Sequence, residues 1–68
     1  MNGKEFIRKA RKWAKANDRE FAVNASRGKG GHKMVQVGDR RTTVKTGEIG
    51  TGLLAAMLEQ LNIPKGEF

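Results

Sequence analysis

The feature that most restricts the fold of this chain is the spacing of its apolar residues, which changes along the sequence. In residues 3–17 and again in residues 53–62, apolar side chains recur every three or four positions, which predicts an amphipathic helix near each end of the chain. Each helix needs a neighbouring layer on which to bury its apolar face. The first helix would turn inward Phe6, Ile7, Ala10, Trp13 and Ala14. The second would turn inward Leu53, Leu54, Met57, Leu58 and Leu61.

The central part of the chain alternates between apolar and polar residues, which is the pattern of half-buried strands. It predicts strands over residues 20–26, 32–37 and 40–45. Only Gly38 and Asp39 separate the second strand from the third, and so short a connection predicts an antiparallel hairpin. Two helices could cover one face of a three-stranded antiparallel sheet. The expected fold class is therefore α+β, in the order α-β-β-β-α.

The alternation also assigns the side chains of the second strand to opposite faces of the sheet. Val35 and Val37 would join the core, whereas His32, Met34 and Gln36 would face the uncovered side. This sheet and its two helices would make one domain of residues 1–68, because the chain is too short for a second core.

The ends of the second helix carry recognisable signals. Thr51 is placed to cap the helix through its hydroxyl group, after a glycine-punctuated loop over residues 46–52. Asn62 and Pro64 would end it, since asparagine can adopt the left-handed conformation found at helix ends. We expect the tail, residues 65–68, to be loose.

The chain is strongly basic, with 14 lysine and arginine residues against 7 aspartate and glutamate residues and a net charge of +7. Residues 1–45 carry thirteen of the basic and four of the acidic side chains, a net charge of +9, whereas residues 46–68 carry a net charge of −2. Such a domain attracts polyanions, with nucleic acid the first candidate and an anionic membrane the second. No apolar run approaches the roughly 20 residues of a membrane span, and residues 1–10 lack the apolar core of a signal peptide. We therefore expect a cytoplasmic protein.

Four cations of the first helix fall in one narrow stripe at about 100° per residue. This basic stripe consists of Lys4, Arg8, Arg11 and Lys15, with Lys9 and Lys12 beside it. Like charges four residues apart destabilise a helix unless something offsets them. We favour phosphate contact over a merely solvated face, which is the alternative interpretation.

His32 is the only histidine, and it directly follows a basic glycine loop over residues 27–31. Imidazole has an unperturbed pKa of about 6.5, so it can accept and return a proton near neutral pH. Such a base beside a phosphate could deprotonate a ribose 2′-hydroxyl group, which then attacks the adjacent phosphorus, while lysine or arginine stabilises the phosphoryl charge. Taken alone this signal is weak, because a histidine beside a glycine loop is usually an ordinary surface residue.

Three segments together make the signal more specific. The loop Gly28-Lys29-Gly30-Gly31-His32-Lys33 leads into a hairpin that reads VGDRRTTV over residues 37–44, and residues 52–63 read GLLAAMLEQLNI. These segments resemble HicA toxins, with their Gly-x-Gly-Ser-His-like loop, short strand, tight turn, Arg-x-x-x-Val-like strand and closing helix. Gly31 stands where serine is common in that family.

The resemblance implies a fold like the double-stranded-RNA-binding domain and cleavage of mRNA without a ribosome. It also implies no cofactor or metal, and inhibition by a cognate HicB-like antitoxin. The catalytic histidine of the family corresponds to His32. We expect the loop glycines to approach a phosphate, and further cations besides the basic stripe to bind RNA. The loop glycines are Gly28, Gly30 and Gly31. The further cations are Arg27, Lys29, Lys33, Arg40 and Arg41.

Some alternatives remain open from the sequence. The proton for the leaving oxygen could come from Lys29, Lys33 or water, and Arg40 and Arg41 could simply flank an exposed turn. A non-catalytic module for double-stranded RNA is the second candidate function, and a membrane-active cationic peptide is the third. We expect the two large aromatic side chains to pack on the core rather than stack on bases. They are Trp13 and Phe21.

Overall fold

The structure is a computed structural model that describes residues 1–25, 32–45 and 47–68. Its elements confirm the predicted order of a helix, three strands and a helix. They are α1 (Gly3–Ala16), β1 (Phe21–Ala25), β2 (His32–Val37), β3 (Arg40–Lys45), α2 (Thr51–Gln60) and a 3-10 turn (Lys65–Glu67). Two residues assigned from the sequence to a strand end and a loop, Ser26 and Thr46, lie outside the described residues.

The three strands form an antiparallel sheet in the order β1-β2-β3. The predicted tight connection between β2 and β3 is confirmed, because Val37 pairs with Arg40 across a turn of two residues. Gly38 has a φ of +62°, which glycine adopts readily at the first central position of a hairpin turn. The amide nitrogen of the Gln36 side chain donates to the carbonyl oxygen of Gly38 at 3.0 Å. The turn of two residues sets the register of the hairpin from its closed end.

Both helices lie on one face of the sheet, and the core is between the two layers. Alanines on the inner face of α1 let that helix approach the strands closely, while α2 contributes larger side chains. Thr42 is the one buried polar side chain among the described residues, and its hydroxyl group donates to Oε1 of Gln60. The buried apolar residues are Phe6, Ala10, Ala14, Val35, Val37, Val44, Ile49, Met57, Leu58, Leu61 and Ile63.

The N-terminus of α1 contacts the end of β3. A Cβ atom at Gly3 would overlap the carbonyl oxygen of Lys45, and it would lie 3.3 Å from the carbonyl carbon of that residue. The backbone N–H of Gly3 donates to the carbonyl oxygen of Gly47 at 3.0 Å. Asn2 caps the helix by accepting from the backbone N–H of Glu5 at 2.9 Å. These contacts hold the start of α1 against the backbone of Lys45.

The predicted left-handed end of α2 is confirmed at Asn62, which has a φ of +59°. The backbone N–H of Asn62 donates to the carbonyl oxygen of Glu59 at 3.1 Å, and the N–H of Ile63 donates to that of Leu58 at 2.9 Å. This pair of bonds is a Schellman motif, and it satisfies two carbonyl groups at the helix end. Ile63 and Leu58 are both buried, so the motif also adds to the core.

Two predictions about chain ends were wrong. The N-cap of α2 is Gly50, with no side-chain cap, and Thr51 lies inside the helix. The extended backbone of Gly50 (φ −70°, ψ 160°) starts the helix two residues earlier than the apolar spacing indicated. The tail is not loose either, because the ring of Phe68 packs 5.1 Å from the ring of Phe6. In the described part of the chain, no helix is long and apolar enough to cross a bilayer.

Candidate nucleic-acid interface

His32 is the first residue of β2, and its side chain is exposed. The predicted orientation of this strand is confirmed, because Val35 and Val37 are buried beneath the helices while Gln36 is exposed. His32, Met34 and Gln36 share the opposite face of the sheet, since neighbouring side chains in a strand alternate. The imidazole is therefore on the side that the helices leave uncovered, and we call that side the open face.

Lys45 is the residue directly across from His32, as the last position of β3 pairs with the first position of β2. Opposite residues in an antiparallel pair have Cβ atoms about 4.5–5.5 Å apart on the same face. Both side chains are exposed. Lys45 was not among the site residues predicted from the sequence, although the signal was present. A turn of two residues after Val37 already places position 45 opposite position 32.

Among the described residues, the three strands contribute positive charge and no carboxylate to the open face. All seven acidic residues are described, and every one of them lies outside the three strands, in a helix, turn or connection. Arg41 pairs with Gln36 and shares the face with His32, about 13 Å away along the strands at 3.3 Å per residue. The residues of this face are Ala22, Asn24, His32, Met34, Gln36, Arg41, Thr43 and Lys45.

Two of the predicted RNA-binding cations lie on the strands but not on the open face. Lys33 pairs with Val44, and Arg40 pairs with Val37, so both have the orientation of the buried valines. Both are nevertheless exposed, and each is within the first two residues of its strand. The structure therefore brings Arg41 together with His32 on one face, and it separates Lys33 and Arg40 from both. The predicted residues of the glycine loop lie outside the described residues, namely Arg27, Gly28, Lys29, Gly30 and Gly31.

All four residues of the basic stripe are exposed on α1. Because α1 packs on the covered face of the sheet, the stripe and His32 lie on different sides of the sheet. The guanidinium carbon of Arg11 is 5.6 Å from the ring centre of Phe21, which places that end of the stripe at the edge formed by β1. Lys4 is next to Gly3, at the end of the molecule where Lys45 lies.

The two aromatic residues weighed as base-stacking candidates pack against the core, as expected. Trp13 and Phe21 are partly buried beside it. The indole N–H of Trp13 donates to Oε1 of Glu67 at 3.0 Å, so this side chain is held by the tail. Lys9, beside the stripe, has its Nζ atom 5.2 Å from the ring centre of Phe68. Trp13, Phe21 and Lys9 therefore pack against other parts of the protein.

Within residues 1–25, 32–45 and 47–68, no group of three or more histidine, cysteine, aspartate or glutamate side chains is arranged to hold a metal ion. No protein-family model matches the chain, and comparisons with characterised proteins and with solved structures find no significant match.

Proposed function

We propose that this protein is a HicA-type endoribonuclease toxin that acts in the cytoplasm, cleaves mRNA without a ribosome or cofactor and is neutralised by a HicB-like antitoxin. One observation carries the proposal: the only histidine of the sequence is exposed on a sheet face to which the described strand residues contribute cations and no carboxylate. An RNA backbone could approach this imidazole without meeting a negative side chain from the strands. The resemblance to HicA in the segments around His32 supports the same conclusion.

In this mechanism His32 is the general base. Its free nitrogen takes the proton of a ribose 2′-hydroxyl group, and the 2′-oxygen attacks the adjacent phosphorus. The bond between phosphorus and the 5′-oxygen of the next nucleotide breaks, and that oxygen leaves with a proton. The products are a 2′,3′-cyclic phosphate and a 5′-hydroxyl group. The chemistry uses groups of the protein and the RNA only.

Purified protein should cleave an RNA oligonucleotide in the presence of EDTA and leave a 2′,3′-cyclic phosphate. His32→Ala and His32→Gln should each lower the single-turnover rate by about 100-fold or more, which is the size of a general-base contribution. Because His32 is exposed, both variants should keep the circular dichroism spectrum and unfolding midpoint of the native protein. Cleavage that survives both substitutions would refute the assignment.

The second candidate, a non-catalytic module for double-stranded RNA, is favoured by one observation. The basic stripe is on the helix side, away from His32, where it could follow the phosphates of a duplex. This candidate predicts salt-sensitive binding that prefers duplex to single-stranded RNA, with no cleavage of either. The assay above therefore separates the two functions.

A further inference from the structure

We propose that the open face of the sheet is a binding surface for single-stranded RNA, and that Lys45 is a second catalytic residue beside His32. The inference rests on the proposed ribonuclease function and extends it to a substrate class and a further residue. Arg41 holds a phosphate further along the same RNA strand.

The position of Lys45 is the first argument. Among the described cations, Lys45 is the one paired directly with His32, and both side chains are exposed. The contact of Gly3 with the backbone of Lys45 anchors this residue, while its side chain stays exposed. A phosphate seated against the imidazole would therefore be within reach of the ammonium group. Lys33 is next to His32 in the sequence, but it points to the opposite face.

The chemistry of the leaving group is the second argument. A single imidazole cannot take the proton of the 2′-hydroxyl group and supply a proton to the 5′-oxygen at the same moment. The ammonium group of Lys45 can stabilise the charge on the phosphoryl oxygens and give a proton to the departing 5′-oxygen, which is far more basic than an amine. Lys45 then regains a proton from water, and the imidazolium of His32 releases one to water, so the protons balance.

The shape and charge of the surface are the third argument, and they favour a single strand over a duplex. The face is formed by three adjacent strands, and among the described residues it presents no helix or long loop that could enter a groove of duplex RNA. In-line attack needs the 2′-oxygen, the phosphorus and the 5′-oxygen to align, and a stacked A-form helix does not hold them so. Lys45 and Arg41 lie four residues apart on β3, about 13 Å, so both can contact one extended backbone.

Pairs of neighbouring residues on opposite faces provide the test. Lys45→Ala is compared with Lys33→Ala, and Arg41→Ala with Arg40→Ala, since each pair removes the same charge from exposed positions on different sides of the sheet. We expect Lys45→Ala to lower the single-turnover rate at saturating RNA by about 100-fold. We expect Arg41→Ala to weaken binding of a single-stranded oligonucleotide by about tenfold, as for loss of one charge-assisted hydrogen bond. The two control variants remove cations that the sequence predicted to bind RNA but that the sheet separates from His32, so each should lose less than about threefold, from net charge alone.

A substrate with sulfur in place of the leaving 5′-oxygen tests the role of Lys45 more closely. A thiolate leaves without a proton, so this substrate should restore most of the rate that Lys45→Ala loses on ordinary RNA. It should restore nothing in His32→Ala, where the base is missing. A merely structural role for Lys45 would lower the rate on both substrates equally. Should Lys45→Ala unfold, Lys45→Met keeps the apolar stem of the side chain and takes its place.

The outcomes separate this inference from the proposed function. If the native protein cleaves no RNA, the proposed function fails, and Lys45 loses its catalytic role with it. The binding surface is then still judged by the affinity of His32→Ala for single-stranded and duplex oligonucleotides, with and without Arg41→Ala. If the native protein cleaves RNA but the control variants lose as much as Lys45→Ala and Arg41→Ala, the open face is not the substrate surface. Preference for duplex RNA would overturn it as well.

Discussion

Replacing Gly3 with alanine tests the closest approach between α1 and the sheet. The added methyl group would overlap the carbonyl oxygen of Lys45, with the Lys45 carbonyl carbon at 3.3 Å and a Val44 methyl carbon at 3.4 Å. The obstacle is backbone, so either the helix or the strand has to move. Overpacking of this kind costs about 1–3 kcal/mol, while alanine gains at most about 1 kcal/mol over glycine in a helix. The difference is a net loss of about 0–2 kcal/mol in the free energy of unfolding, and we expect the upper half of that range because the obstacle is a backbone atom.

The chain contains a matched control for this substitution. Gly52 is also in the first turn of a helix, and a Cβ atom there would meet nothing within 4 Å. Gly52→Ala should therefore raise the free energy of unfolding by about 0.4–1 kcal/mol. In a domain of this size, 1 kcal/mol corresponds to about 4–8 °C in Tm, so calorimetry and urea unfolding should resolve the opposite signs. A Gly3→Ala protein as stable as the native one, with Gly52→Ala stabilised as expected, would refute the close contact at Lys45.

Three further predictions concern the ends of the chain and the basic stripe. Asn62→Ala should lower the free energy of unfolding, measured with urea, by about 1 kcal/mol, because alanine disfavours the left-handed conformation at φ +59°. Asn62→Gly should leave it unchanged, and equal losses in the two variants would contradict this account of the helix end. Phe68→Ala should lose about 1–2 kcal/mol, since the half-buried ring packs on Phe6 and Lys9; an unchanged midpoint would mean that the tail adds no stability. Replacing all four residues of the basic stripe with glutamine should lower the salt slope of RNA binding by about 3 if each contacts a phosphate, and an unchanged slope would support the solvated-face interpretation.

At the candidate site, the pattern within one strand predicted some features of the structure and missed others. The alternation in β2 correctly predicted that His32 is exposed while Val35 and Val37 are buried. The turn of two residues also implies the register that places Lys45 opposite His32. That register is found only when β2 and β3 are considered together as a hairpin. Closeness along the chain instead favoured Lys33, which is next to His32 in the sequence but lies on the other face of the sheet.

The sequence by itself determined the order of the elements, the tight hairpin and the left-handed end at Asn62, because each depends on spacing or conformational preference within a few residues. Tertiary structure alone decided that the tail packs its last ring on Phe6, and that the basic stripe and His32 lie on different sides of the sheet. These features depend on contacts between residues far apart in the chain. Such contacts form only when a helix and a sheet bury their apolar faces together, and periodicity within one segment carries no information about them.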